Sequence, residues 1–180
     1  MLQQLIQLVQ ENAQDLIVKN PNVPDQFNDA AISEAGNIIQ NQLAQAVKKG
    51  QLQDVLGMFG NQQGLRNNPV VSAIITQFAA SLASKFGVNS SQAQQIAGQL
   101  IPQILGALVS KTNNPADNSF NINDIMSQLG AGGKGIDFGS VVTQMQQGGK
   151  VDFGSLAGQI LGGGKSGGLG GLLGSLFKRK

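Results

Sequence analysis

Two helical patterns joined by a tight turn, within residues 68–110, constrain the fold of this chain more than any other feature. Pro69 follows Asn68, so that proline occupies the first helical turn, where it is tolerated, and asparagine can cap the helix. Gly87 ends the first pattern, because glycine adopts the left-handed conformation of a helix C-cap at little cost. Asn89 is suited to cap the second pattern. We therefore predict two consecutive helices at the centre of the chain.

Apolar residues recur at helical spacing along both patterns, so both helices are expected to lie in the core. The stripe of the first helix consists of Val71, Ile75, Phe78, Leu82 and Phe86. The stripe of the second consists of Ala93, Ile96, Ala97, Leu100, Ile101, Ile104, Leu105 and Leu108. Pro102 interrupts the second helix, since it removes one backbone hydrogen bond and its ring crowds the carbonyl of Gly98. We expect a kink or a break between these two residues.

Three more helical patterns precede the central pair. The first covers residues 2–17 and ends at Asn20-Pro21, the second covers residues 27–47 and closes with Lys48-Lys49-Gly50, and the third covers residues 52–59. Cations and glycine at the end of the second pattern are typical of a helix C-terminus. The lengths predict an all-α fold, a bundle of about four to six helices.

The composition changes at residue 120, because 17 of the 25 glycines fall between residues 130 and 180. This region repeats with a period of 15 to 16 residues: Gly-Gly-Lys ends at Lys134, Lys150 and Lys165, and Asp-Phe-Gly-Ser occurs at residues 137–140 and 152–155. Each unit is a short apolar helix on a glycine hinge, which cannot bury its apolar face alone. We predict a helical bundle domain at residues 1–119, with its core pair at 68–110, and a Gly-rich C-terminal tail of short amphipathic helices at 120–180.

The central pair carries two resemblances. The positions of its small, turn and hydrophobic residues are those of a helix-turn-helix: Ala83, Gly87, Val88, Ala93 and Ile96. The chain also resembles the YidB-like family of bacterial proteins, in Phe86-Gly87-Val88, Ala93 and Gln99-Leu100-Ile101-Pro102-Gln103-Ile104-Leu105. Residues 20–24 and 28–32 and the Gly/Leu-rich tail also look like those of longer members. The resemblance implies a helical, cytosolic protein and no particular biochemical activity.

The residue types exclude most catalytic chemistry. The chain has no His, Cys, Trp or Tyr, so it lacks the usual general base, thiol nucleophiles and Cys/His zinc sites. Its ten acidic residues are scattered singly, without the pairing of a carboxylate dyad. Gly162-Gly163-Gly164-Lys165-Ser166 looks like the end of a phosphate-binding loop, but Gln159 stands where the loop needs its first glycine. We predict a protein that is not an enzyme and that binds no cofactor or metal.

A DNA-associated regulator is the alternative function, because of the helix-turn-helix spacing. Such a binder needs Lys or Arg to contact phosphates. Residues 89–110 contain neither, and the nearby bases are Arg66, Lys85 and Lys111. The net charge of +2 is also small. We therefore rank nucleic acid below protein as a partner.

The N-terminus, Met1-Leu2-Gln3-Gln4-Leu5, lacks the basic start of a signal peptide. No apolar run approaches the ~20 residues that span a bilayer. We expect a cytoplasmic protein without a transmembrane segment. The basic end Lys178-Arg179-Lys180 after an apolar stripe allows a weak membrane-surface contact by the C-terminus.

Self-association is the leading hypothesis for function. Solubility rests on 24 Gln and 15 Asn against 22 charged residues, and such a surface repels copies of itself weakly. The apolar faces of the tail need a partner, so we predict a homo-oligomer or filament assembled through the tail. The candidate self-association residues are Phe138, Phe153, Leu169, Leu172, Leu173, Leu176 and Phe177.

Overall fold

The computed structural model describes residues 2–60, 65, 67–114, 116–117, 119–131 and 136–153. All regular elements in these ranges are helical, which confirms the predicted all-α bundle. The α-helices of these ranges are α1 (Leu2–Asn12), α2 (Asn28–Lys48), α3 (Leu52–Gly60), α4 (Pro69–Phe86), α5 (Ser90–Thr112), α6 (Ile122–Met126) and α7 (Phe138–Gln146). Single turns of π-helix follow α1 and α6, at Gln14–Val18 and Ser127–Ala131, and a 3₁₀ turn at Asp25–Phe27 leads into α2.

The predicted boundaries of the central pair, α4 and α5, are confirmed together with their caps. The Asn68 side chain accepts a hydrogen bond from the backbone N–H of Val70 at 2.9 Å and so caps α4. Gly87 ends α4 with a φ of 71°, the left-handed conformation that favours glycine. The Asn89 side chain accepts from the backbone N–H of Ser91 at 3.0 Å and caps α5.

Helix α5 runs without a break through Pro102, so the predicted break is absent, while a kink between Gly98 and Pro102 stays a prediction. Proline leaves the carbonyl four residues earlier without a donor. That residue is Gly98, which is exposed, so water can bond its carbonyl. The remaining helical hydrogen bonds and the buried side chains on both sides of Pro102 keep the helix continuous.

Helix α2 lies at the centre of the bundle, packed against α1, α3 and α4, and α4 also packs against α5. Helix α1 closes the bundle by contacting both α2 and α5. Helices α1 and α2 approach closely at Gly36, where an added Cβ would lie 2.8 Å from Cγ1 of Ile6. A glycine is therefore required for these two helices to pack at this distance.

The buried face of α4 differs from the stripe predicted for it. Ile74 is 0% exposed, whereas Ile75, which the periodicity placed in the stripe, is only half-buried. Because α4 packs between α2 and α5, its buried face is wider than one stripe and includes Val70 and Ser81.

The core continues past the domain boundary predicted at residue 119. Helix α7 packs against α3, and the π-turn after α6 packs against α2. Eight residues beyond the boundary belong to the same hydrophobic core as the helical bundle: Phe120, Ile122, Ile125, Met126, Leu129, Ala131, Phe138 and Val142. The first part of the predicted tail is therefore an integral part of the bundle.

Candidate self-association surface

The described residues hold no group of three or more His, Cys, Asp or Glu side chains that could bind a metal ion. A small cavity between α1 and the segment after α5 has a volume of about 170 Å³. Ligand pockets usually occupy ~300–1,000 Å³, so this cavity is too small for a typical ligand. Its lining is mainly amide and apolar: Gln4, Gln7, Leu8, Glu11, Lys111, Ser119 and Phe120. Two more open clefts fall within that range, one along α7 of about 630 Å³ and one at the start of α6 of about 470 Å³.

A polar cluster connects α2 to α4 and was not foreseen from the sequence. Glu34 Oε1 accepts hydrogen bonds from Ser81 Oγ and from Lys85 Nζ, each at 2.6 Å. Burial raises the pKa of Glu34, but the bonds from Lys85 and Ser81 and the Lys85 charge outweigh it, so its pKa is lowered. A carboxylate with a lowered pKa is a poor general base near neutral pH. The cluster is therefore suited to hold α2 against α4. It is not suited to catalysis with Ser81 as a nucleophile and Glu34 as its base.

The helix-turn-helix surface is neutral where a DNA-binding protein is usually basic. Ser91, Gln94 and Gln95 are exposed near the start of α5. The two flanking lysines form ion pairs within the chain: Lys85 Nζ is 2.6 Å from Glu34, and Lys111 Nζ is 3.5 Å from Asp117 Oδ2. Arg66 lies outside the described residues. The amides at this surface could bond base edges. Lys85 and Lys111, which would contact phosphates, are instead paired with carboxylates of their own chain.

The repeated region begins with two units of the same local design, which we call unit one (residues 121–131) and unit two (residues 137–147). Asn121 caps α6, and its side chain accepts from the backbone N–H of Asn123 at 2.8 Å. Asp137 caps α7, with its side chain accepting from Gly139 N at 3.0 Å. The next residue in each unit is apolar and buried: Ile122 at 7% exposure and Phe138 at 2%. The repeat is therefore a capping residue followed by an apolar anchor.

The amide of Asn123 connects unit one to unit two. Its Oδ1 accepts from the backbone N–H of Phe138 at 2.7 Å, and its Nδ2 donates to Asp137 Oδ1 at 3.0 Å. We call these two bonds the Asn123 clasp. The hydroxyl of Ser140, the amide of Asn123 and two backbone N–H groups lower the pKa of Asp137, although desolvation opposes them. The Asp-Phe-Gly-Ser motif could have indicated this cap, since Asp is one of the preferred N-cap residues.

The structure gives the predicted self-association residues different environments. Phe138 is buried among the bundle helices, so it stabilises its own chain and presents no surface to a second copy. Phe153, at the start of the third repeat, is only partly buried against the core. The five others lie outside the described residues: Leu169, Leu172, Leu173, Leu176 and Phe177.

One helix among the described residues, α4, passes a test of length and composition for crossing a membrane. This is weak evidence for a span, because 44% of its 18-residue window is buried inside the bundle. Its side chains also include Lys85, in an ion pair, and Gln77, which accepts a hydrogen bond from Gln42. The packing of α4 between α2 and α5 explains its apolar composition.

Comparison of the chain with protein families, with curated proteins and with solved structures finds no match.

Proposed function

We propose that this protein acts without catalysis, through protein contacts, and that it self-assembles through the repeats that follow α7. The observation that carries the proposal is the contrast between successive anchors of the repeat. Phe138 is buried in its own bundle, whereas Phe153 is only partly buried. The sequence continues beyond Phe153 with further apolar residues, and the proposal assigns these residues to the contact between copies.

The composition of the described surface supports association between copies. The exposed face of α5 presents Gln94, Gln95, Gln99 and Gln103, and residues 90–110 include no charged side chain. Like-charged surfaces oppose the approach of identical molecules, and an amide surface does so weakly. A second copy of this chain is therefore a suitable partner.

The experiment is light scattering after size exclusion on the full chain, with a mass of 18.7 kDa per copy, and on a chain that ends at Lys150. That end keeps α7 and its buried residues Phe138 and Val142 in place. Circular dichroism during heating controls for folding of the shorter chain. We expect oligomers or filaments from the full chain and monomers from the shorter one. Monomers from both, over the accessible concentration range, would contradict self-assembly.

DNA association is the second candidate, supported by the exposed Ser91, Gln94 and Gln95 at the start of α5. Its test is fluorescence anisotropy with random duplex DNA at low salt. Binding that weakens steeply as salt is added, and that Gln94→Ala/Gln95→Ala reduces, would favour this candidate over self-assembly.

A further inference from the structure

We infer that α7 is an exchangeable helix: in the assembled protein, α7 of one copy leaves its own bundle and docks on α3 of a second copy. This inference rests on the proposed self-assembly and names a surface that the copies exchange. The partner is a second copy of this chain, because its α7 carries the side chains that already fit this surface. Such an exchange is domain swapping, which reuses the contacts of the closed chain.

The docking surface for α7 includes the end of α3. Helix α7 packs against α3 and α6, and its buried residues are Phe138 and Val142. The two helices approach each other at Gly60, where an added Cβ would lie 3.5 Å from Cβ of Met145. In the closed chain Phe138 is covered by its own bundle, so it becomes a contact between copies only by exchange.

Helix α7 is attached to the bundle less firmly than the central helices. It buries Phe138 and Val142, whereas α2 and α5 each bury nine residues. Its hydrogen bond from Gln146 Nε2 to the backbone carbonyl of Phe59 is 3.5 Å long, at the limit for such a bond. Elements with few buried apolar contacts open at a lower free energy than the core helices. We therefore expect α7 to leave the bundle while the central helices stay folded.

The Asn123 clasp determines where an exchanged α7 docks. Asn123 lies in α6, and its amide bonds the backbone N–H of Phe138 and the carboxylate of Asp137. Both bonds join α6 to the start of α7, so they can form equally well with α7 of a second copy. Because hydrogen bonds are directional, the clasp fixes the register of α7 as Phe138 enters the bundle.

The position of α7 in the chain explains how it reaches a second copy. Helix α7 ends at Gln146, and the sequence continues into the repeats to which the proposed function assigns the contact between copies. A repeat held by a neighbour tethers α7 beside that neighbour. A short tether gives a millimolar effective concentration, so exchange competes with closure inside an assembly. A separate monomer at micromolar concentration instead closes on its own α7.

The first test uses the absence of cysteine from the chain. Gly60→Cys and Met145→Cys chains are mixed as dilute monomers, concentrated to assemble and mildly oxidised. Each variant has a single cysteine, so a disulfide between positions 60 and 145 forms only between copies, and the 3.5 Å separation of the Cβ atoms suits it. We expect peptide mass spectrometry to show this disulfide several-fold above the linkage of Gly60→Cys with Ser72→Cys, which lies on the exposed face of α4.

The outcomes separate this inference from the proposed function. A wild-type chain that stays monomeric contradicts both. Assembly in which positions 60 and 145 link no better than the control pair retains self-assembly and overturns the exchange of α7. In the chain that ends at Lys150, the same two variants should link no better than the control. Equal linkage in both lengths would overturn the delivery of α7 by the repeats.

The second test closes α7 on its own bundle. Oxidation of dilute Gly60→Cys/Met145→Cys joins the two positions within one chain. Light scattering should then show that half-assembly needs a concentration at least about tenfold higher, because the contact between copies lacks its aromatic anchor. Reduction should restore the wild-type value, and circular dichroism during heating checks that both forms are folded. Half-assembly at the same concentration in both forms would overturn the exchange.

Discussion

The side-chain amide nitrogen of Asn68, Nδ2, donates a 2.8 Å hydrogen bond to the backbone carbonyl of Asp54 in α3. The oxygen of the same amide accepts from Val70 N and caps α4. One buried side chain, 7% exposed, thus starts one helix and attaches it to another. The amide suits both functions, because its oxygen accepts one bond while its nitrogen donates the other.

Replacement of Asn68 should therefore separate the two functions. Asn68→Ala should lower the free energy of unfolding by about 1–3 kcal/mol, because the cap and a buried hydrogen bond are both lost. Asn68→Ser retains a capping oxygen, but serine is too short to reach the carbonyl of Asp54. Its loss of unfolding free energy should therefore be smaller than that of Asn68→Ala. Urea unfolding of the two variants measures the difference. Equal losses would show that the capping oxygen contributes nothing, and an Asn68→Ser variant as stable as the wild type would show that the bond to Asp54 contributes nothing.

The Glu34 cluster predicts a pH dependence of stability. The pKa of Glu34 is lowered in the folded chain, so its contribution is fully present above the unfolded pKa, near 4.5. It is lost as pH falls through the lowered folded value. Because the Lys85 side chain is 57% exposed, we expect a contribution of only about 1 kcal/mol near neutral pH.

The measurement is the difference in unfolding free energy between the wild type and Glu34→Gln, from neutral pH down to the acid range. The difference should shrink as the pH falls below the unfolded pKa. Lys19→Gln is the control, since it breaks an exposed pair whose side chains are 68% and 85% exposed and should change stability little. A difference that is constant with pH would rule out the carboxylate as the stabilising species.

The close approach of α1 and α2 predicts opposite effects for two glycine substitutions. Gly57→Ala should stabilise the protein by about 0.5–1 kcal/mol, because an added Cβ in α3 meets nothing within 4 Å and alanine favours a helix. Gly36→Ala should destabilise it by about 1–3 kcal/mol, since the Cβ would lie 2.8 Å from Ile6 Cγ1. Ile6 is β-branched and cannot easily rotate away. Thermal and urea unfolding report both signs, and a stabilised Gly36→Ala would contradict this packing.

Adjacent isoleucines in α4 provide a direct test of its orientation. Ile74 is 0% exposed and Ile75 is half-buried. Ile74→Ala should cost about 2–5 kcal/mol, as expected for a fully buried side chain, and Ile75→Ala about 1 kcal/mol. Urea unfolding distinguishes them. If Ile75→Ala costs more than Ile74→Ala, α4 is rotated toward the stripe expected from periodicity alone.

Local chemistry explains why the central helix boundaries could be predicted. Asn68, Gly87 and Asn89 act on residues within a few positions of themselves, so the local sequence is enough to predict their effects. Periodicity predicted that α4 is buried but selected Ile75 over Ile74. Which of the two isoleucines is buried depends on where α2 and α5 lie. The periodicity of one helix carries no information about the position of its neighbours.

In the repeated region, too, the sequence predicted the local structure but not the burial of each residue. Its period could be read directly, and the period correctly separates successive capped helices. The period does not show that Phe138 lies in the bundle core while Phe153, in the same motif, is only partly buried. The two motifs share one local sequence, and their difference comes from the helices against which each is packed.

By itself, the sequence determined the helical class, the caps of the central pair and the repeat, because each depends on hydrogen bonds and periodicity within a few residues. The tertiary structure alone decided which apolar residues lie in the core, how many repeat units join it, and that Glu34 meets Ser81, 47 residues away along the chain. The physical reason is that burial and such hydrogen bonds depend on the relative placement of helices that are distant in sequence.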